Sequence, residues 1–238
     1  ADLEQAESLL EHCLQAEPAS SEHDEALYLL AWILVDLDRE EEGQAAFQEI
    51  ADEHPDSKYW SDSAYRVARS YFKNGEKDSA QNLVSKLIKI DEIQDELLSK
   101  VMSLYAELTL SEGNWTSFTD SIRLVQSRLE KAKDKPVARE KAQYWLAESL
   151  YRQKKYNQSL KEFGALDASA QLIQVSLEPW VLLRRAQCLG FLNRWVEAGV
   201  LAERSKETFP DFKMAYEFDF VIGRCQEDEG RLSDARAI

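Results

Sequence analysis

Apolar residues recur along this chain at helical spacing, and the spacing itself repeats. Leu27, Leu30, Ala31 and Leu34 stand at i, i+3, i+4 and i+7, as do Ala64, Val67, Ala68 and Tyr71, and Leu146, Ala147 and Leu150 hold the last three places of the same series. Each series makes one apolar helix face. Centring each on its small residue gives the anchors Ala31, Ala68, Ala106, Ala147, Ala186 and Gly223, spaced 37, 38, 41, 39 and 37 residues apart. A second compact position follows twelve residues after each anchor, at Gly43, Ala80, Phe118, Ser159, Ala198 and Ala235, with Phe118 the one large residue. Ala6 stands 37 residues before Gly43 and extends this second series backwards. Seven residues after the anchor a turn is expected, carrying Gly75, Gly113 and Gly230 in three repeats, because glycine ends a helix at positive φ without steric cost. A second amphipathic helix follows, as in residues 44–50 and 79–87, and Pro18, Pro55 and Pro210 share one position near its end. Proline cannot continue a helix and restricts the residue before it.

The unit is therefore helix–turn–helix–turn in about 37–41 residues. A lone helix pair cannot bury its apolar face, whereas stacked pairs share one continuous core, and small residues at the crossings let the helices approach closely. The expected fold is all-α, a solenoid of stacked helical hairpins. Composition agrees. Gly (8) and Pro (5) are too scarce for a turn-rich β sandwich or barrel, and 44% hydrophobic residues are enough for a core. The longest apolar stretch, residues 29–35, is far short of the roughly 20 residues of a membrane span. Cys13, Cys188 and Cys225 are too few and too scattered for a disulfide framework and are expected to be small core or half-buried residues. The chain begins at Ala1 and stops within a helical pattern, so it is read as a piece of a longer protein.

These residues resemble a tetratricopeptide repeat array. The family pattern is matched by Leu30, Ala31, Leu34, Gly43, Phe47 and Pro55 in one unit, by Ala68, Tyr71, Ala80 and Leu87 in the next, and by Ala186, Leu189, Ala198 and Pro210 in the fifth. The resemblance implies a right-handed superhelix and one solenoid over residues 1–238. Its units run roughly over 1–20 (a second helix alone), 21–57, 58–91, 92–135, 136–172, 173–211 and 212–238 (truncated). The chain departs from the pattern in its longer period, in Arg185 and Asp219 at usually apolar positions, and in a degenerate third unit with Thr109 and Phe118 at usual core positions. Residues 54–68 (HPDSKYWSDSAYRVA) are similar to the longer-period repeats of bacterial cell-envelope proteins, such as outer-membrane assembly lipoproteins and the periplasmic partners of the Tol–Pal system. An envelope or periplasmic location and a cytoplasmic one are both compatible with that spacing.

A search for chemistry finds little. His12, His23 and His54 form no HExxH and no i, i+4 pair, and ordinary surface roles are expected for them. No GxxxxGKS/T, GxGxxG or GxSxG is present. The many carboxylates raise glycoside hydrolysis, which needs a carboxylate pair, but the loops are short and poor in glycine. The acidic run at residues 36–42 is read as a helix start enriched in acids by the macrodipole. No catalytic residue, cofactor or metal is expected.

What remains is a surface. In the family the first helix of each pair lines the concave face, so the resemblance places two stations in a groove. Three residues before the anchor stand Tyr28, Tyr65, Ser103, Tyr144, Leu183 and Phe220; one after stand Trp32, Arg69, Glu107, Glu148, Gln187 and Arg224. Phe72, Tyr151 and Trp180 add to the same face. The candidate partner-binding residues are Tyr28, Trp32, Tyr65, Arg69, Phe72, Tyr144, Tyr151, Trp180, Phe220 and Arg224. Tyr and Trp offer apolar area plus one polar atom; the same rings also suit packing between neighbouring helices. The family's Lys and Asn clamp for a C-terminal carboxylate is not matched, so chaperone-tail binding is not expected.

The leading reading is a non-enzymatic scaffold that binds a peptide or protein partner in the groove. Two others stand beside it: a structural or self-associating module of a larger assembly, and a regulatory repeat region of an enzyme whose catalytic domain lies elsewhere. Charge sharpens the first. The net charge is −15, and residues 1–60 hold 17 acidic and 2 basic residues, whereas residues 121–161 hold 11 basic and 4 acidic. An overall acidic chain is not expected to bind nucleic acid; a basic partner is expected to meet the N-terminal units.

Overall fold

The computed structural model describes residues 2–16, 22–131, 134–168 and 177–238. Among these residues every regular element of structure is an α-helix. In chain order they are α1 (Asp2–Ala16), α2 (His23–Asp36), α3 (Glu40–Glu53), α4 (Trp60–Lys73), α5 (Lys77–Leu87), α6 (Asp95–Glu112), α7 (Trp115–Leu129), α8 (Pro136–Arg152), α9 (Tyr156–Ala168), α10 (Glu178–Phe191), α11 (Trp195–Thr208), α12 (Ala215–Asp228) and α13 (Leu232–Ala235). The chain divides into two compact units, the first ending at Leu108 and the second starting at Thr109. In the first, α1 packs on α2, α2 on α3, α3 on α4 and α4 on α5. In the second, α7 to α13 pack successively, and α8 also meets α10, which meets α12. Consecutive packing joined by first-helix to first-helix contact is the topology of a helical-hairpin solenoid.

The anchors do what their size predicts. Ala31, Ala68, Ala106, Ala147 and Ala186 are fully buried. Within a hairpin the anchor meets its partner twelve residues on: a Cβ on Gly43 would lie 2.8 Å from the Ala31 carbonyl oxygen, and Ser159 donates its hydroxyl to the Ala147 carbonyl at 2.9 Å. At Phe118, the large exception, the ring is fully buried against Trp115 and Trp145, with centroids 5.6 and 6.0 Å away. Thr109 is buried, and Asp219 at its usually apolar position pairs with Lys206 from α11.

Every expected turn has the same backbone. The six positive-φ residues among those described are Asp38 (59°), Gly75 (84°), Gly113 (76°), Lys154 (60°), Asn193 (58°) and Gly230 (77°), and each stands seven residues after its anchor. At the first, Arg39 N–H bonds the Leu34 carbonyl at 2.9 Å and Asp38 N–H the Val35 carbonyl at 3.0 Å. This is the paired closure that satisfies the last carbonyls of a helix. It recurs at Gly75, Lys154, Asn193 and Gly230, and Gly113 N–H bonds the Thr109 carbonyl at 2.7 Å. The second helices α3 and α11 stop at Glu53 and Thr208, two residues before Pro55 and Pro210; Pro18 lies outside the described residues.

The cysteines correct one expectation. Cys188 and Cys225 are buried, but Cys13 is exposed, because α1 buries none of its residues.

Candidate functional site

In the first unit, the two stations bring Tyr28, Trp32, Tyr65 and Arg69 onto the facing first helices α2 and α4, and contacts tie them together. The Tyr28 ring stacks on Tyr59, with centroids 4.4 Å apart, and meets Phe47 edge-on at 5.9 Å. Its hydroxyl donates to Asp62 at 2.9 Å. Asp62 also accepts from Arg66 Nε at 2.8 Å, and the Arg66 guanidinium lies 3.8 Å above the Trp32 ring, a cation–π contact. Burial pushes the phenols of Tyr28 and Tyr65 above their ordinary range, so both stay neutral hydrogen-bonding groups. Arg69 pairs with Glu107 at 3.2 Å, both side chains about two-fifths exposed. A cleft of about 580 Å³ opens beside these residues, lined by Glu40, Glu41, Gln44 and Phe47 from α3 on one side and by Tyr65, Arg66, Arg69 and Lys73 from α4 on the other. Phe72 is half-buried on the same helix. Tyr59, Asp62 and Arg66 were not expected at this face, although the i, i+4 spacing of Asp62 and Arg66 is a pairing signal in its own right.

The second unit differs. Tyr144 is 8% exposed and packs edge-on against Phe163 and Trp145, with centroids 6.0 and 5.3 Å away. It is a core residue, in one buried cluster with Phe163 and Leu166 of α9 and with Leu177 and Val181 at the start of α10. Burial is also the first cause of its raised pKa. Trp180 is half-buried between two core clusters and meets Phe212 edge-on at 5.0 Å. Phe220, by contrast, is 63% exposed. Arg224 is exposed, paired with Glu227, with its guanidinium 5.6 Å from the Trp195 ring. The aromatic residues of one station are thus unequal: two half-buried, one buried and one open.

Between them runs a polar ladder. Glu148 is 3% exposed. It accepts two bonds from Arg184, from Nε at 2.7 Å and Nη2 at 3.0 Å, and one from Arg152 at 2.8 Å. Arg184 Nη1 and the Tyr151 hydroxyl both donate to Gln187 Oε1, at 2.8 and 3.1 Å. Gln187 Nε2 passes the chain on to Glu217 at 3.2 Å. The ladder therefore crosses from α8 to α10 to α12. Glu148 and Gln187 hold the station one after the anchor; Arg184, one residue past Leu183 of the other station, makes the crossing.

The polar runs and histidines are also placed. Arg39 bonds Glu42 twice at 2.6 Å and reaches Glu7 as well, so the acidic run is a salt-bridged helix start. His23 and His54, expected in ordinary surface roles, have ring centroids 5.4 Å from each other. Among the described residues they form, with Glu49, the one group of three or more His, Cys, Asp or Glu whose candidate ligand atoms all lie within 4.8 Å. No helix among the described residues is long and apolar enough to cross a membrane.

Comparison with known proteins agrees with this architecture. Residues 1–64 match the family model described as tetratricopeptide repeat. No curated protein matches the sequence. A tetratricopeptide repeat protein from Parabacteroides merdae ATCC 43184 is similar in structure at 18% identity, over 98% of this chain and 83% of that one, with a TM-score of 0.56. The apo form of RapI is similar at 14% identity, over 99% of this chain and 69% of that one, with a TM-score of 0.67. Nearly identical TPR-like repeats from Podosopora anserina align at 14% identity, over 76% of this chain and 92% of that one, with a TM-score of 0.58. At these identities the likeness is one of fold.

Proposed function

We propose that this array of tetratricopeptide-type repeats is a non-enzymatic scaffold that binds an extended peptide or protein segment on the face formed by its first helices. The observation that carries the reading is the open cleft of about 580 Å³ in the first unit. Trp32 and Tyr65 stand half-buried at that face, and Arg66 and Arg69 add donors beside apolar surface. Aromatic anchors next to guanidinium groups suit a peptide that brings apolar side chains together with backbone or carboxylate oxygens. The acidic excess over residues 1–60 favours a segment that is basic outside its anchor residues.

The test is selection from a random peptide library on the immobilised protein, repeated with Trp32→Ala/Tyr65→Ala. The selected peptides bind wild type, are enriched in Lys and Arg, and lose at least tenfold in affinity for the double variant, while far-UV circular dichroism stays unchanged. Peptides that bind both proteins equally refute this face as the site.

A further inference from the structure

We propose that His23, His54 and Glu49 form a binding site for a divalent transition-metal ion of the zinc type, which closes the open end of the α2–α3 hairpin. His23 is the first residue of α2 and His54 caps the end of α3. The backbone reversal at Asp38 joins the opposite ends of these helices. The two imidazoles therefore meet at the end of the hairpin away from its turn, where Glu25 also pairs with Lys58 at 3.0 Å. Glu49, from the last turns of α3, completes a set of three groups whose ligand atoms lie within 4.8 Å of one another.

Bonds of 2.0–2.2 Å in a tetrahedral site put ligand atoms roughly 3.4 Å apart, so the set closes by about 1.4 Å. Rotation of the exposed Glu49 side chain supplies much of that. One further observation points to an ion. His23 Nδ1 is buried and has no hydrogen-bond partner among the described residues, a deficit of the sort that native structures resolve with a water, an ion or a ligand. Glu49 is exposed, which leaves the set open to solvent, and His23 also lines a cleft of about 600 Å³ between α1 and α2. The segment around it is strongly anionic, with 17 acidic against 2 basic residues in positions 1–60, which concentrates cations. Two imidazoles and one carboxylate suit Zn²⁺ and its neighbours, whereas Mg²⁺ and Ca²⁺ prefer all-oxygen sets. Three protein ligands leave a fourth position for water.

The decisive experiment is calorimetric titration of Zn²⁺ into the tag-free, chelator-stripped protein, with Mg²⁺ and Ca²⁺ titrated in parallel. The expected result is one saturable Zn²⁺ site, a melting temperature raised by Zn²⁺, and no matching site for the other two ions. His23→Gln, His54→Gln and the surface change Glu49→Gln each weaken Zn²⁺ at least tenfold with helicity unchanged. A His12→Gln/Cys13→Ser variant keeps full affinity, which separates this site from the neighbouring groups of the same cleft. Absence of a saturable Zn²⁺ site overturns the proposal. So does Glu49→Gln binding as wild type, loss of the site in the His12/Cys13 variant, or equal binding of Mg²⁺ or Ca²⁺.

Discussion

Lys154 is the residue of the six shared turns least suited to its backbone. Its φ is 60°, its side chain is exposed, and it stands where Gly75, Gly113 and Gly230 stand in other repeats. An L-residue held in the left-handed region is penalised by about 1–2 kcal/mol, and Asp or Asn relieves part of this by local hydrogen bonding, which Lys does not. Glycine removes the penalty but gains about 0.5–1 kcal/mol of unfolded-state entropy to lose on folding. Lys154→Gly is therefore expected to stabilise the protein by about 0.5–1 kcal/mol, raising the melting temperature by ~1–4 °C for a chain of this size. Urea unfolding followed by tryptophan fluorescence reads the change. Native-state hydrogen exchange reads it locally, since stability in a stacked array is partly a property of each repeat. The mirror experiment is Gly75→Ala. No atom lies within 4 Å of the Cβ it would add, so any loss, expected near 1 kcal/mol, is a backbone effect. If Lys154→Gly fails to stabilise, or Gly75→Ala is neutral, the turns are not governed by left-handed strain.

Two further outcomes follow from the second unit. Glu148→Ala leaves the Arg184 guanidinium without its buried carboxylate and costs about 3–5 kcal/mol, whereas Arg184→Ala costs less, because Arg152 still bonds Glu148 at 2.8 Å. The double variant costs clearly less than their sum, and additivity in a double-mutant cycle rejects the coupling. Cysteine modification by a thiol reagent at pH 8 gives one fast thiol, the exposed Cys13, with Cys188 and Cys225 released on unfolding. Burial pushes the Cys188 thiol up to about 11, so it lacks the reactive thiolate, and rapid titration of more than one thiol in the native protein would contradict its placement.

The hairpins were legible because two physical demands leave marks in residue type. A close helix crossing requires a small side chain, and Ala31, Ala68, Ala147 and Ala186 announce it. A helix end at positive φ favours glycine, but only half of the turns use it; Asp38, Lys154 and Asn193 reach the same backbone without the signal. At the candidate site the shared face of Tyr28, Trp32, Tyr65 and Arg69 was readable from the helical period, whereas exposure was not. Exposure depends on what packs above a residue, and the cluster that adds Leu177 and Val181 to α9 buries Tyr144 at the station that stays half-open at Tyr28. Long side chains were the other blind spot. Arg66 and Arg184 start off the expected stations, and their length carries the guanidinium across to Trp32 and Glu148. His23 and His54 stand 31 residues apart, a spacing that acquires meaning only once the hairpin has brought its ends together.

The ladder from Glu148 through Arg184 and Gln187 to Glu217 gives the repeats an order. With the same turn at every reversal and a small residue at most crossings, apolar stacking alone would let hairpins be shuffled like interchangeable beads. The ladder makes each of these neighbours recognise the next. A transplanted hairpin that lacked Arg184 would leave the buried Glu148 carboxylate with Arg152 alone, and one that lacked Gln187 would leave Tyr151 and Glu217 without their shared partner. In this part of the array, position along the stack is written in hydrogen bonds.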